Sequence, residues 1–431
     1  MEAAMRLRLK KLGAIAVGLA MLAGVSACTS SGSSQDSANK NVTLQWGFWD
    51  QGAAGDKTYQ QLADQVHKKY PNITVKLTQP PFADYFTKLQ SQLAAGTTPC
   101  IVSMQSLRLP GFASALEPLG DLMKEQGFKT SDWDSGALKA LQYNGEQYAI
   151  PYGLSTMILY YNKDAFAKAG LAEPKPGWTV ADFEADAKKI TEATGKPAFG
   201  QSFSDLHMFS MLYAKDGALP VTSKGKLDLT NSAMEKAFSW YSGLSTGQKT
   251  ASTPASSADI PWGEQQFVAG NVSMAVDGTW DLVQNATTAK FNVGVVTLPV
   301  GSKGGGTLSA NSGFGISKTC QYKKQAAQAI SVIVGADASK TSAEQGNQPA
   351  RSADQSVFFD AVAKQVDSKT PGFSAQAKEV LADSSKGATP FISTSNWDQT
   401  TKVIARQFIL SYTGSQSPKQ TLQNVQSQQG Q

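Results

Sequence analysis

The chain has 431 residues, of which 41% are hydrophobic and 17% charged, and its formal net charge is +5. This length exceeds the ~250–300 residues that one hydrophobic core usually serves, so we expect two domains. The composition excludes a disordered chain, the weak positive charge does not indicate a nucleic-acid binder, and 2 His and 3 unclustered Cys argue against a Cys/His zinc site.

The N-terminal residues have the pattern of an export signal. Four basic residues precede an apolar run at 12–25, and small residues lead to Cys28. The run is too short, and too rich in Ala and Gly, for a transmembrane helix. The ending Val-Ser-Ala-Cys resembles a bacterial lipobox, which implies that residues 1–27 are removed and that Cys28 carries lipid. An ordinary signal peptide with an incidental Cys is the alternative.

Residues 28–40 are polar and Ser-rich, which predicts a flexible tether between a membrane and a globular body. Most of the positive charge belongs to the signal, because residues 1–27 hold four basic residues and one acidic residue. The remaining body is therefore close to neutral.

From residue 41 onward, strand-like and helical patterns alternate. The first elements are predicted as strands at 42–49, 73–77 and 100–104, and as helices at 58–70 and 82–95. This alternation favours α/β units with a largely parallel sheet. The later predictions are helices at 179–194, 232–245, 322–335 and 396–412, strands at 271–276, 291–296 and 308–317, a Gly-rich loop at 299–306, and one last helix around Leu422 and Val425.

The sequence lacks the common catalytic motifs. No nucleophile elbow, P-loop or dinucleotide-binding motif is present. His67 falls on the polar face of a predicted helix, and His207 follows Asp205 in a predicted bend, so neither indicates a catalytic triad. A glycosidase needs only two carboxylates, so a secreted glycoside-active enzyme remains an alternative.

Several segments, in their order along the chain, carry a family resemblance. They are WGFW at 46–49, YNGEQYAIP at 143–151, LYYNKD at 159–164, FVAGNVSM at 267–274, GTW at 278–280 and GFGIS at 313–317. Together they resemble the extracellular solute-binding proteins of ABC importers, in the sugar-binding family typified by maltose-binding protein.

This resemblance implies an α/β, two-lobe, periplasmic-binding-protein-like fold of type II. Crossing hinge strands would join the lobes around a ligand cleft, with lobe one at 41–152 and 307–366 and lobe two at 153–306 and 367–431. Ligand would favour the closed state, because only there do both lobes contact it.

The implied function is the capture of a carbohydrate, which we expect to be an oligosaccharide, and its delivery to an ABC transporter permease. We expect no catalysis, cofactor, metal or nucleic-acid partner. We also expect a monomer that a lipid anchor holds at the outer face of a bacterial cell membrane. A glycoside-active enzyme and a structural lipoprotein or adhesin are the alternatives.

Sugar binding calls for aromatic platforms and for side chains that pair with hydroxyls. Trp280 follows a predicted strand and matches the family position that stacks on sugar; a core Trp is the alternative. The further ligand-binding candidates are Trp49, Asp50, Gln105, Ser106, Arg108, Tyr152, Trp262, Asn311, Arg351 and Trp397. Trp49 and Trp397 could instead be core residues, Asp50 a turn residue and Arg108 a surface charge.

Two cysteines remain once Cys28 is assigned to lipid. Cys100 stands where the family usually has Asp, and Cys320 lies just past the predicted strand 308–317. The resemblance places both in lobe one, and export exposes them to an oxidising environment. We predict a Cys100–Cys320 disulfide; two buried free thiols are the alternative.

Overall fold

The computed structural model describes residues 40–257 and 262–430. Cys28, the export signal and nearly all of the predicted tether therefore lie outside the described residues. None of the described helices combines the length and the apolar character that crossing a bilayer requires.

Strands are distributed along the whole described chain. They are β1 (Val42–Gly47), β2 (Ile73–Thr78), β3 (Ile101–Gln105), β4 (Gln142–Tyr143), β5 (Glu146–Gln147), β6 (Ala149–Gly153), β7 (Met157–Asn162), β8 (Phe199–Gly200), β9 (Ala251–Ser252), β10 (Met274–Gly278), β11 (Val293–Val296), β12 (Thr307–Ser309), β13 (Ser312–Ile316) and β14 (Ala388–Pro390).

Helices occupy most of the connections between these strands. They are α1 (Gly52–Lys69), α2 (Phe82–Ala95), α3 (Leu109–Phe112), α4 (Gly120–Glu125), α5 (Ser135–Ala140), α6 (Lys163–Lys168), α7 (Val180–Thr194), α8 (Asp205–Asp216), α9 (Ser232–Thr246), α10 (Trp262–Val268), α11 (Leu282–Thr288), α12 (Lys323–Ile333), α13 (Ala336–Glu344), α14 (Gln355–Val366), α15 (Phe373–Lys386), α16 (Trp397–Tyr412) and α17 (Pro418–Gln429).

The first five-stranded sheet has the order β2-β1-β3-β13-β6. Along β1 the buried residues Val42, Leu44 and Trp46 alternate with the exposed residues Thr43 and Gln45. One face of this strand therefore packs on a core and the other meets solvent. This sheet and the helices on it form the first lobe.

The second five-stranded sheet has the order β11-β7-β10-β8-β9 and forms the second lobe with its helices. Its interior strand β7, between β11 and β10, is apolar on both faces. Met157, Leu159 and Tyr161 belong to one hydrophobic cluster, whereas Ile158 and Tyr160 belong to another. The continuous apolar run of β7 is explained by helices that cover both faces of the sheet.

Both sheets are mixed, which corrects the expectation of a largely parallel sheet. In each, two of the four strand pairings are parallel and two are antiparallel. The alternation of strands and helices along the sequence does not reveal strands that enter a sheet from the other lobe. β13 is such a strand, because the chain reaches it only after completing the second sheet.

The chain crosses between the sheets in two adjacent segments. Residues 154–156 lead from β6 to β7, and residues 310–311 lead from β12 to β13. The Ser155 amide donates to Asn311 Oδ1 at 3.0 Å, and the Ala310 amide donates to the Ser155 carbonyl at 3.2 Å. The two crossings are therefore hydrogen-bonded to each other.

Three sequence expectations differ from the observed elements. α1 begins at Gly52 rather than at residue 58, because its first turns contain only small and charged residues and so show no apolar period. The predicted strand 308–317 is two strands, since β12 pairs with β14 and β13 joins the first sheet. His207 lies in the first turns of α8 rather than in a bend.

The packing of α14 also bears on the predicted lobe boundary at residue 366. Phe358, Val362 and Val366 lie in the same hydrophobic cluster as Ile158 and Tyr160 of β7. This packing favours assigning α14 to the second lobe, because apolar side chains on one helix face must bury against the same neighbours. The remaining lobe boundaries stay a prediction.

A disulfide joins Cys100 and Cys320, with their Cα atoms 4.8 Å apart. Cys100 directly precedes β3, and Cys320 follows the neighbouring strand β13. The Ser317 amide donates to the Cys100 carbonyl at 2.9 Å beside the bridge. The bridge therefore closes the end of the β3–β13 pair that lies away from the crossing segments.

Removing the bridge is expected to destabilise the fold without unfolding it. The bridge closes a loop with a sequence separation of 220 residues. We expect the double substitution C100A/C320A to lower the free energy of unfolding by about 2–4 kcal/mol, because it releases chain entropy in the unfolded state. Urea unfolding of a chain that lacks residues 1–28 measures this difference. Two reactive thiols in the denatured, unreduced wild type would contradict the bridge.

Candidate functional site

The carboxyl ends of strands from both sheets meet at the crossing segments. At the end of β10, the Thr279 amide donates to the Thr156 carbonyl at 3.0 Å. At the end of β3, the Ser106 amide donates to the Asn311 carbonyl at 2.8 Å. In α/β folds, ligands bind beyond such strand ends. The region between β3 and β10 is therefore the candidate site.

Trp280 is the large aromatic side chain that this arrangement leaves exposed. It lies in a single 3-10 turn, Thr279–Asp281, and 38% of its surface is accessible. Its indole lies against Gly278, where an added Cβ would come within 2.3 Å of the ring. A glycine before the turn thus allows the ring to lie flat on the strand end and to present its outer face.

A buried charge cluster lies beside Trp280, which we call the His207 cluster: His207, Glu264 and Asp277. His207 Nε2 is 2.8 Å from Glu264 Oε1 and 3.1 Å from Asp277 Oδ1. The His207 and Trp280 rings meet edge to face, with centroids 6.0 Å apart. Burial opposes a charge on the imidazole, but the Glu264 and Asp277 carboxylates outweigh it and raise the pKa of His207 to about 10.

Further contacts fix Asp277 and extend the cluster to Asp281. The Gly278 amide donates to Asp277 Oδ1 at 2.7 Å, and Asn285 Nδ2 donates to Asp277 Oδ2 at 2.6 Å. Burial and the neighbouring Asp277 carboxylate raise the pKa of Asp281 to about 8. Asp281 is consequently protonated in the neutral pH range.

The ligand atoms of His207, Glu264 and Asp277 lie within 4.8 Å of one another, so they are grouped as a metal site would require. A metal ion binds neutral imidazole, however, and would have to displace the proton that joins His207 to its two carboxylates. The short nitrogen–oxygen distances are those of charge-assisted hydrogen bonds. The grouping is thus accounted for as an ion cluster.

A second polar group, the Arg108 cluster, connects the two lobes: Arg108, Gln105, Asp205 and Asp398. Arg108 Nε donates to Asp398 Oδ1 at 2.8 Å, and Nη2 lies 3.7 Å from Asp205 Oδ2. Nη1 donates to Gln105 Oε1. Arg108 follows β3 of the first lobe, whereas Asp205 begins α8 and Asp398 is the second residue of α16. The apolar residues of these two helices pack in the second lobe.

Aromatic rings cover the guanidinium of Arg108. Its Cζ lies 4.6 Å from the Phe86 ring centroid and 5.6 Å from that of Phe82. Phe82 is 43% exposed and packs edge-on against Trp49, with centroids 5.5 Å apart. Phe82 therefore presents an apolar surface on the first lobe, near the ion pairs that connect it to the second.

Two of the predicted aromatic platforms are buried. Trp49 is 6% exposed and packs among Phe82, Tyr85 and Phe86. Trp397 is 2% exposed, and its Nε1 donates to Asp205 Oδ2 at 2.7 Å. In both cases the core alternative describes the observed packing. Trp397 still contributes indirectly, because its hydrogen bond orients Asp205 toward Arg108.

The other predicted residues divide between the strand ends and more distant places. Gln105, Ser106, Arg108 and Asn311 lie together at the end of β3 and at the crossing. Tyr152 is half-buried and stacks on Phe314 at 4.8 Å.

Asp50 is exposed and accepts from the Gly52 amide at 2.5 Å, which is a turn role. Trp262 is half-buried at the start of α10, the helix that carries Glu264. Arg351 pairs with Asp132 at 3.2 Å and covers the Trp133 ring, so it is engaged within the first lobe.

Sequence reasoning did not find seven residues of this region: Phe82, Asp205, His207, Glu264, Asp277, Asp281 and Asp398. Phe82 is the first residue of α2 and projects past the core. Asp205 and His207 share the first turn of α8, where an Asp after Ser is a common helix start. That signal locates the helix without indicating what its first turn faces.

Asp281 offers a test of this electrostatic arrangement. Its raised pKa means that the native chain binds more protons than the unfolded chain between about pH 4 and pH 8, so its contribution to stability is lost as pH rises through that window. We expect D281N to remove this part of the pH dependence. Urea unfolding at several pH values across the window measures the slope, with D383N, at an exposed carboxylate, as the control. Equal slopes for the wild type and D281N would contradict the arrangement.

Comparison with known proteins gives relatives over most of the chain. One is the arabinooligosaccharide-binding protein of Bacillus subtilis, 24% identical over 212 residues that cover 48% of this chain and 49% of the relative. Another is the sn-glycerol-3-phosphate-binding periplasmic protein UgpB of Escherichia coli, 26% identical over 313 residues, which is 66% of this chain and 64% of the relative. The chain thus spans about half of the first relative and just under two thirds of the second.

A solved structure shows the same fold over almost the full length. It is the ABC substrate-binding protein Lmo0181 from Listeria monocytogenes in complex with cycloalternan, with a TM-score of 0.77 and 24% identity. The superposition covers 90% of this chain and 97% of that one. The fold is therefore that of the two-lobe solute-binding proteins.

The family itself is defined by a match over residues 49–340, which carries the description bacterial extracellular solute-binding protein. This match includes the second sheet, four of the five strands of the first sheet, the crossing segments, Trp280 and the greater part of both polar clusters. Because it spans more than half of the sequence, the chain belongs to the bacterial extracellular solute-binding protein family.

Proposed function

We propose that this protein captures a carbohydrate outside the cell and delivers it to the permease of an ABC transporter. The observation that carries the proposal is the exposed face of Trp280 at the end of β10, next to buried carboxylates. The flat C–H face of a sugar packs on an indole, and its hydroxyl groups donate to carboxylate oxygens. Trp280 would form the platform on the second lobe.

Phe82 supplies a second exposed ring on the first lobe. A sugar held between Phe82 and Trp280 would contact both lobes at once. It would therefore favour their approach about the crossing segments 154–156 and 310–311, since a ligand stabilises the state in which it makes more contacts. Gln105 and Asn311 would bind hydroxyl groups at the end of β3 and at the crossing.

The relatives support a carbohydrate as the ligand class. The Bacillus relative is named for arabinooligosaccharides, and the Listeria structure contains cycloalternan. An oligosaccharide also suits a site with an aromatic ring on each lobe, because successive sugar units can pack on separate rings. The protein would act as a monomer and would carry out no chemistry on the sugar.

Substituting Trp280 tests the platform. We expect W280A to weaken oligosaccharide binding at least about tenfold, because it removes the apolar surface on which the sugar packs. Isothermal titration with arabinooligosaccharides, maltodextrins and cycloalternan measures the loss. Y143A is the matched control, since Tyr143 is 37% exposed on the β4 hairpin of the first lobe and contacts neither polar cluster among the described residues.

Two results would contradict this proposal. Equal sugar affinities for W280A and Y143A would remove Trp280 from the site. Release of shortened sugars during incubation with the wild type would indicate catalysis instead of capture.

We further propose that Cys28 anchors the protein to the cell membrane through lipid, with residues 29–40 as the tether. C28A should then accumulate in the medium or the soluble envelope fraction, whereas the wild type stays with membranes, because two or more acyl chains suffice for stable anchoring. Fractionation followed by immunoblotting measures the distribution. S31A, in the tether, is the control, and membrane retention of C28A would contradict the anchor.

A further inference from the structure

All three nitrogens of the Arg108 guanidinium already face polar partners: Nε and Nη1 donate hydrogen bonds, and Nη2 lies 3.7 Å from a carboxylate oxygen. Its Nε, Nη1 and Nη2 face Asp398, Gln105 and Asp205. The side chain is 8% exposed, and the Phe86 ring covers its plane. Recognition of a phosphate or carboxylate requires N–H groups that point at the anion. The positive charge of Arg108 is therefore already neutralised by the carboxylates of Asp205 and Asp398.

Two carboxylates also face the second basic group of this region, His207. His207 Nε2 faces Glu264 and Asp277, and the side chain is 7% exposed. Asp205 and His207 share the first turn of α8, so the two clusters adjoin. With Asp281, the Arg108 cluster and the His207 cluster contain five carboxyl groups and two basic groups.

The charges of these two clusters act strongly on a ligand. The side chains of Asp205, Glu264, Asp277 and Asp398 are between 5% and 14% exposed, so water screens them poorly. Lys402, which bonds Thr87 on α2, is exposed and therefore hydrated. An entering phosphate ester would meet excess negative charge, whereas hydroxyl groups would meet acceptors.

We propose that Asp205 and Asp398 determine specificity: by occupying Arg108, they make the cleft reject ligands that carry phosphate or carboxylate and accept uncharged, hydroxyl-rich ones. This inference rests on the proposed function, and it separates this chain from a relative named for sn-glycerol 3-phosphate. Asp398 is the residue to change, because Asp205 also accepts the Trp397 hydrogen bond.

The test is a gain of binding. Isothermal titration compares the wild type with D398N, using sn-glycerol 3-phosphate and glucose 6-phosphate as anionic probes and an arabinooligosaccharide as the neutral probe. We expect no saturable binding of either phosphate ester to the wild type. D398N should bind both esters saturably, at least about tenfold more tightly than any binding to the wild type, because the substitution removes one negative charge beside Arg108 and leaves only a weaker, neutral acceptor for Arg108 Nε. The gain should weaken at high salt.

Two variants assign the gain to Arg108. In the double variant R108Q/D398N the gained phosphate binding should disappear. D354N is the matched control, since Asp354 pairs with Arg351, another arginine that faces two carboxylates, and it should gain nothing. Circular dichroism and melting temperature establish that each variant is folded.

The outcomes separate this inference from the proposed function. Wild type that binds the phosphate esters as tightly as the neutral sugar overturns the inference, as does folded D398N without any gain. Wild type that binds no sugar contradicts the proposed function, whereas a gain in D398N that depends on Arg108 still supports the role of Asp398.

Discussion

The two crossing segments, residues 154–156 and 310–311, run side by side between the sheets. Hydrogen bonds of Ser155 with residues 310 and 311 hold them together. This pairing fixes the positions of the strand ends on either side of it. The turn that carries Trp280 is bonded to Thr156, and the segment that carries Arg108 is bonded to Asn311. The candidate binding surface, assembled from two lobes, thus has one common reference, formed by backbone groups and by the Asn311 side chain.

Burying the two polar clusters beside the crossing segments has a cost in the free energy of folding. Burying a charge lowers stability unless the charge is paired and hydrogen-bonded. Arg108 and His207 each have two carboxylates, and Asp277 has two further donors. The apolar clusters of the two lobes can sustain this cost because helices cover the sheets. Binding geometry is consequently maintained by hydrophobic packing at some distance from the ligand.

Elements with a clear apolar period were predictable from the sequence. α2 has the predicted bounds, and α7 begins within one residue of its predicted start, with a capping box at Thr179 and Asp182. Elements without such a period could not be predicted from the sequence, as the early start of α1 shows. The prediction of one strand at 308–317 was wrong for a different reason: β12 and β13 are both buried, and nothing local indicates that the chain changes sheets at Asn311.

For Trp280, family resemblance and local pattern agree. Its ring is exposed, because Gly278 leaves room for it, and its role in binding stays a prediction. Trp49 and Trp397 also follow strands or begin helices, yet neighbouring side chains cover them, and only the tertiary structure reveals this. The ion clusters depend on residues such as Glu264 and Asp398 that are far apart in sequence, and 34 acidic residues offer no means of choosing among them.

The Cys100–Cys320 bridge has a consequence for the life of the protein outside the cell. The segment between the two cysteines contains the second sheet and its connecting loops. A protease that cuts once within this segment leaves two pieces that remain covalently joined, each keeping strands of the first sheet. Nicked molecules would therefore migrate as one chain until reduced, and a nicked protein would keep both of its pieces.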